Sequence, residues 1–332
     1  MCPTTDRQSR IARKRRSFAS LCVFAAMLPA IAHAFPERPI RLVVPFPPGG
    51  PADMSVRIIQ RHIASELGQP LVLDYKPGAG GTIGIQSVSS ATADGYTLVL
   101  AATNNLVIDP YLNKTRAADP LQAFLPLIKI AEVPAVLFTN SQSASTWIAL
   151  KAAAQKSGKP LYFGSTGVGT TTHLSSILLA KSAGIPITHV PYRGAQPATQ
   201  ALMGNEVQLY MGAYGPNAPQ VTAGRLIPLG VSASQRIPEL PNIPTLKEAG
   251  IPDVLANNWF VVAAPAATPQ PVADRIVKAF SHAISAPDVR AKYANQGIVP
   301  SGQTGTKLQK ELQSESQKWK ALITTEKIEV NE

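Results

Sequence analysis

The chain has 332 residues, with 31 Lys and Arg against 20 Asp and Glu for a net charge of +11, 6% aromatic residues and two cysteines. Beyond residue 16 the basic excess is spread thinly and is not interleaved with aromatics, which argues against a nucleic-acid surface and suits small anions better. Cys2 and Cys22 both precede residue 35, so the rest of the chain has neither a disulfide nor a thiol and needs a core large enough to stand without them.

The first 34 residues read as an export signal. Arg13, Lys14, Arg15 and Arg16 precede an apolar run over 18–31 that ends in Ala32-His33-Ala34, which is a basic region, a hydrophobic region and a small-x-small cleavage site in order. The run is short and broken by Pro29, so it is not read as a membrane span. Arg15-Arg16-Ser17-Phe18 resembles a twin-arginine signal, which leaves the Sec and Tat routes both open. Cys22 follows no convincing lipoprotein box, and a soluble periplasmic product is expected. Cleavage after Ala34 leaves 298 residues, and because six basic residues and Asp6 go with the signal, the net charge falls from +11 to +6.

The mature chain opens on its most informative stretch. Ile40, Leu42, Val43 and Val44 form a buried-looking strand, stopped by the Pro/Gly cluster 45–51. Pro51 suits a first helical turn and Asp53 the positive end of that helix. Val56, Ile59, Ile63 and Leu67 then recur at helical spacing up to the stop at Gly68. A strand, a glycine turn holding Gly49 and Gly50, and a helix N-terminus can together receive an anion, although a plain βα turn reads the same way.

The pattern repeats. Leu71 to Leu73 is a second strand, followed by the glycine loop 77–84 and a helix through Val88. Tyr96 to Ala102 is a third strand ending in Thr103 and Asn104. The loop offers the first two glycines of a dinucleotide fingerprint, but the third falls one residue late, and an exported protein meets no NAD pool. Strands alternating with helices predict a parallel sheet whose ligands lie beyond the strands' carboxyl ends, where both loops, Thr103 and Asn104 all fall.

The middle of the chain reads as a second α/β unit. Val133 to Thr139 is expected to be a strand crossing between units, and Trp147 to Gln155 a helix. Leu161 to Phe163 leads into Gly164-Ser165-Thr166-Gly167-Val168-Gly169-Thr170-Thr171-Thr172 and a helix from His173 to Ala183. Hydroxyls and bare amides in that loop can serve a carboxylate without carrying charge. Further strands, Thr188 to Pro191 and Val207 to Met211, place Arg193 and then Tyr214 and Asn217 at their ends, and Trp259 to Ala263 reads as the returning crossing strand. Arg193 has two readings, a ligand carboxylate or a solvent-side salt bridge. Two apolar helical stripes, one from Val272 to Ile284 and one carrying Leu308, Leu312, Trp319 and Leu322, close the chain and are read as core.

Enzymatic readings find little to work with. Phe163-Gly164-Ser165-Thr166-Gly167 resembles a serine elbow, but Phe163 replaces the first glycine, and no acid is placed by sequence to orient His173 or His189. These two histidines lack the cysteine or spaced histidine partners of a metal site and are read as structural. No cofactor is expected.

Taken together, Pro39 to Gly50 with Asp53, Pro77 to Gly81, Asp94-Gly95-Tyr96-Thr97-Leu98, Gly167-x-Gly169 with His173-Leu174, His189 to Gly194, and Pro241-x-Ile243-Pro244-Thr245 with Glu248 and Gly250 resemble, in order, the motifs of the periplasmic solute-binding receptors of tripartite tricarboxylate transporters, the Bug receptors. The resemblance implies an α/β, type II-like periplasmic-binding-protein fold. Each of its two domains has a mainly parallel sheet flanked by helices, and two crossing strands join them. Residues 35–133 and 259–332 would form one domain, residues 134–258 the other, with the ligand cleft between. It further implies a small carboxylate held by backbone amides, hydroxyls and water, hinge closure without chemistry, delivery to membrane permease subunits, and a monomer. Carried over by residue, the ligand-binding candidates are Phe46, Gly49, Gly50, Gly80 and Gly81 from the first domain and Ser165, Thr166, Gly169, Thr170 and Thr171 from the second. Thr103, Asn104, Arg193, Tyr214 and Asn217 join them from the strand-end argument. Many relatives have Asn at Tyr75, acids at Gln208 and Gly212, Glu at Ile177 and Gly at Val261. The missing acids disfavour a ligand ammonium, which points to an organic acid, dicarboxylic or aromatic, rather than an amino acid. Signalling to a membrane kinase is the alternative role, and a periplasmic serine hydrolase a more distant one.

Overall fold

A computed structural model describes residues 35–112, 119–233, 235–237, 240–252, 254 and 256–328. The export-signal expectation for residues 1–34 lies outside them. Two sheets, both within the unit Arg38–Glu332, carry the fold.

The opening unit forms as its residues dictate. Strand β1 (Ile40–Val44) is buried along its apolar positions, and helix α1 (Pro51–Leu67) starts with Pro51 in its first turn and ends where Gly68 adopts φ 72°. Its N–H bonds back to Ala64 O at 3.0 Å, a left-handed cap that suits glycine. Strand β2 (Leu71–Tyr75) pairs parallel with β1 on one side, and β3 (Thr97–Ala102) on the other. Helix α2 (Thr82–Ser89) connects them after a short turn over Ala79–Gly81.

The first sheet is completed by β4 (Phe124–Val133), β10 (Asn258–Pro265) and β11 (Val299–Thr304), giving the order β11-β4-β10-β3-β1-β2. The second has the order β7-β6-β8-β5-β9, from β5 (Ala135–Asn140), β6 (Leu161–Ser165), β7 (Ile187–Pro191), β8 (Leu209–Ala213) and β9 (Leu226–Val231). The α/β class stands, but the sheets are mixed rather than mainly parallel. β10 runs antiparallel to both β3 and β4, and β5 antiparallel to both β8 and β9. The reason is connectivity. β4 leads the chain out of the first sheet and β10 brings it back, running opposite to β4. The expected single crossing strand over 133–139 is likewise two strands. Pro134, with no N–H to give a ladder, separates β4 from β5.

Helices cover the sheets. In the second half these are α3 (Trp147–Ser157), α4 (Thr171–Ala183), α5 (Ala195–Met203) and α6 (Tyr214–Thr222). In the first half α7 (Gln270–Ser285) buries Ile276, Phe280 and Ile284 and packs on α1 and β4. After α8 (Pro287–Ala294), the long α9 (Gly305–Thr325) buries Leu308, Leu312, Trp319 and Ile323 against β4 and the turn over Asn104–Ile108. Ile323, not Leu322, completes that stripe, because Leu322 is only half-buried. None of the helices among the described residues is long and apolar enough to cross a membrane.

Candidate functional site

A cavity of about 400 Å³ opens between residues of the two sheets. It is walled by helix N-terminal turns. Pro51 comes from α1, Gly81 caps α2, Thr170, Thr171 and Thr172 begin α4, Gly194 and Ala195 begin α5, and Ala213, Pro216 and Asn217 begin α6. First-turn N–H groups have no acceptor within their own helix, and each helix places partial positive charge at this end. Among the described residues no Asp, Glu, Lys, Arg or His lines the cavity. Its field is therefore positive without a single ionised side chain, which favours an anion and leaves nothing to pair with a ligand ammonium.

Of the expected residues, Phe46, Gly80, Gly81, Asn104, Thr166, Thr170, Thr171 and Asn217 line this cavity. The loop before α2 is held from behind. Asn104 and Asn105 donate to Gly80 O at 2.8 and 2.9 Å, and Gly81 takes φ 99°. Three hydroxyls of the opposite loop form a network in which Thr172 Oγ1 lies 2.9 Å from both Thr166 Oγ1 and Thr170 Oγ1 and accepts the Thr166 N–H. Asn217 donates to Ala213 O at 2.8 Å and accepts from Thr199 at 3.0 Å.

The other seven lie off the cavity wall, most with bonds that explain it. The Gly49 N–H is taken by Asp53 Oδ2 at 2.7 Å. Asp53 is buried and also receives Arg57 Nε at 2.6 Å and the Tyr75 hydroxyl. Burial would raise the Asp53 carboxyl, but the bonds from Tyr75, Gly49 and Arg57 outweigh it and leave its pKa below the usual range. Gly50 caps α1. Thr103 is fully buried, accepting the Trp259 N–H at 3.1 Å and so fastening β10 where it re-enters the first sheet. Ser165 is fully buried too, and Gly169 gives its N–H to His173 Nδ1 at 3.1 Å. Arg193 is exposed, and Tyr214 packs partly buried in the second core.

Ser165 Oγ lies 2.5 Å from His189 Nε2 and accepts the Gly167 N–H at 3.1 Å. A hydroxyl and an imidazole at that distance resemble a nucleophile and its base. The serine has no access, however, and among the described residues no carboxylate pairs with either histidine. The pair acts as a brace instead. His173 and His189 stack with centroids 4.0 Å apart and hold the Gly167–Gly169 loop from beneath. Burial, with His173 as a smaller cause, pushes His189 down to about 4 from 6.5. The native state thus needs a neutral imidazole, and the unfolded chain takes up the proton first. Stability is full above pH 6.5 and is lost as pH falls toward about 4. The melting temperature should decline over that window, and His189→Gln should flatten the decline; an unchanged profile in the variant would refute the assignment.

Residues that the sequence did not mark also line the cavity. They include Pro45, Pro47, Pro77, Gly78, Val133, Ala135, Ser175, Tyr210, Met211, Ala256 and Asn258. The proline and glycine neighbours extend loops already singled out. Tyr210 belongs to β8 and carried no ligand signal of its own, whereas Gly212, two residues on, was marked by the acid that many relatives have there, and it does line the cavity. Burial pushes the Tyr210 phenol pKa well up, so its O–H stays protonated.

A cavity between two helix-flanked α/β sheets is the arrangement of a periplasmic binding protein. The solved periplasmic binding protein BugD superposes with a TM-score of 0.79 at 28% identity, covering 89% of this chain and 99% of its own. A Rhodopseudomonas palustris protein solved with adipate gives 0.82 at 30% identity, covering 89% and 99%. A Pseudomonas sp. (strain P51) protein described as a UPF0065 protein in the tcbD-tcbE intergenic region is 37% identical over 90% of this chain and 89% of its own length. Residues 55–328 match the TctC family, described as the tripartite tricarboxylate transporter family receptor, and the chain belongs to that family.

Proposed function

We propose that this protein is an extracytoplasmic receptor for a small carboxylate, an organic acid of dicarboxylic or aromatic type, which it delivers to the membrane permease subunits of a tripartite tricarboxylate-type transporter. The observation that carries the reading is the convergence of five helix N-termini on one cavity with no Asp, Glu, Lys, Arg or His among its described lining residues. Family membership and the adipate bound by a relative support it. The two lobes are residues 35–133 with 259–332, and 134–258. They close about the crossings at Pro134 and at 256–258, and the closed pair of lobes is the surface that a permease reads. A ligand shifts that equilibrium only if it touches both lobes, and the cavity draws Phe46, Gly80 and Asn104 from one and Thr166, Thr170 and Asn217 from the other. The chain acts in the periplasm as a monomer without a cofactor, exported by the signal ending near Ala34, and binds no nucleic acid.

A thermal-shift screen of carboxylates, matched amides and amino acids tests this. A carboxylate at 100 times its Kd should stabilise the protein by about 2.7 kcal/mol, with its amide silent. Stabilisation by amino acids alone, or by the amides equally, would overturn the reading.

A further inference from the structure

Two polar groups at the cavity have no hydrogen-bond partner among the described residues. Tyr210 is 2% exposed, and its hydroxyl makes no hydrogen bond to any described residue. The Tyr210 hydroxyl is not among the fully buried atoms, so it is open to a hydrogen bond from a group in the cavity. Asn258, on the same cavity wall, has a buried side-chain oxygen without a partner. Both groups are neutral, and they accompany an apolar wall built from Phe46, Val133, Met211 and Ala256.

The Tyr210 ring is where it is because Gly212 makes room for it. A β-carbon built on Gly212 would lie 2.5 Å from the phenol oxygen and 2.6 Å from Cζ. The ring therefore runs along β8 over Gly212 toward the carboxyl end of the strand, the end at which α6 begins. Any side chain at position 212 would evict it. Phe46 meanwhile brings a second aromatic ring to the cavity from the loop after β1, set edge-on to Phe260 with centroids 6.4 Å apart. One aromatic side chain thus comes from each sheet.

Resting on the carboxylate-receptor reading, we propose that the ligand is an aromatic carboxylate with a hydrogen-bonding ring substituent. Its carboxylate meets the helix N-termini, its ring lies against Phe46 and Tyr210, and its substituent bonds the Tyr210 hydroxyl and the Asn258 amide. Tyr210, through the space granted by Gly212, is then the residue that selects this class over aliphatic acids. A hydroxyl substituent can serve both groups at once, accepting from the Tyr210 phenol and donating to the Asn258 amide oxygen.

Isothermal titration of the purified protein with 4-hydroxybenzoate, benzoate, adipate and malate tests the assignment, alongside Tyr210→Phe and Gly212→Asp. 4-Hydroxybenzoate should bind most tightly. Tyr210→Phe should weaken it by roughly three- to tenfold, the worth of one hydrogen bond, and leave benzoate unchanged. Gly212→Asp should remove the binding of both aromatic acids. The ranking in the unaltered protein needs no variant to fold. Adipate or malate binding more tightly than either aromatic acid would overturn this proposal and leave the receptor reading intact, whereas silence toward all four acids would overturn both. Equal losses of the two aromatic acids in Tyr210→Phe would overturn the role of the phenol.

Discussion

Lys129→Ala should lower the stability of this protein by about 3–5 kcal/mol, the loss typical of breaking a buried ion pair from one side. Lys129 lies on β4 with 2% of its side chain exposed, and its ammonium touches Glu132 at 2.5 Å and Glu311 at 2.6 Å. Glu311 comes from α9 and is held in turn by Gln303 of β11 at 2.5 Å. The cluster thus ties the strand leading to the crossing at Pro134 to the helix that covers it. Alanine leaves two part-buried carboxylates facing each other without the cation. Removing all three charges together, in Lys129→Met, Glu132→Gln, Glu311→Gln, should recover most of the loss, because the desolvation cost of the charges goes with their attraction. Urea unfolding would show the midpoint fall in the single variant at an unchanged slope. A single variant as stable as the parent would mean that the cluster contributes nothing.

How much of the fold could be read beforehand depended on how local the signals were. The β1–α1–β2 unit was legible because Pro51, Asp53 and Gly68 each act through their own turn. Strands β4, β9 and β11 were not seen. Each contains a proline, Pro126, Pro228 or Pro300, and their pairing partners are distant in sequence. Sheet polarity was misread for a related reason, since the sense of β10 follows from where the chain has travelled and not from its own residues.

The site divides in the same way. Glycine and threonine loops advertise themselves, and Gly80, Gly81, Thr166, Thr170 and Thr171 reach the cavity. Gly49 and Ser165 share that composition but are engaged by Asp53 and His189, bonds visible only once the side chains are placed. Tyr210 shows a different limit. As a tyrosine inside an apolar strand it reads as core and it is core, and only the space over Gly212 shows that its ring also borders the cavity.

Two adjacent glycines separate the loop's shape from its chemistry, and they should behave differently. Gly81→Ala should cost roughly 2–5 kcal/mol, combining left-handed strain of about 1–2 kcal/mol with overpacking of about 1–3 kcal/mol. At φ 99° its β-carbon would lie 2.7 Å from Asn105 Nδ2 and 3.3 Å from Pro45 O, and Asn105 is one of the two amides that hold Gly80 O. Gly80, at φ 64°, has nothing within 4 Å of its β-carbon position, so Gly80→Ala should incur only the strain of about 1–2 kcal/mol. Gly80 also lines the cavity, so a methyl there leaves the loop in place and narrows the approach to the α2 N-terminus. Denaturation should therefore rank Gly81→Ala as the more damaging change. Titration with whichever carboxylate binds the parent should show that Gly80→Ala loses affinity out of proportion to its small loss of stability. If Gly80→Ala bound as the parent does, the carboxylate would not approach along this loop, and the cavity's anion site would have to be sought at α1, α4, α5 and α6.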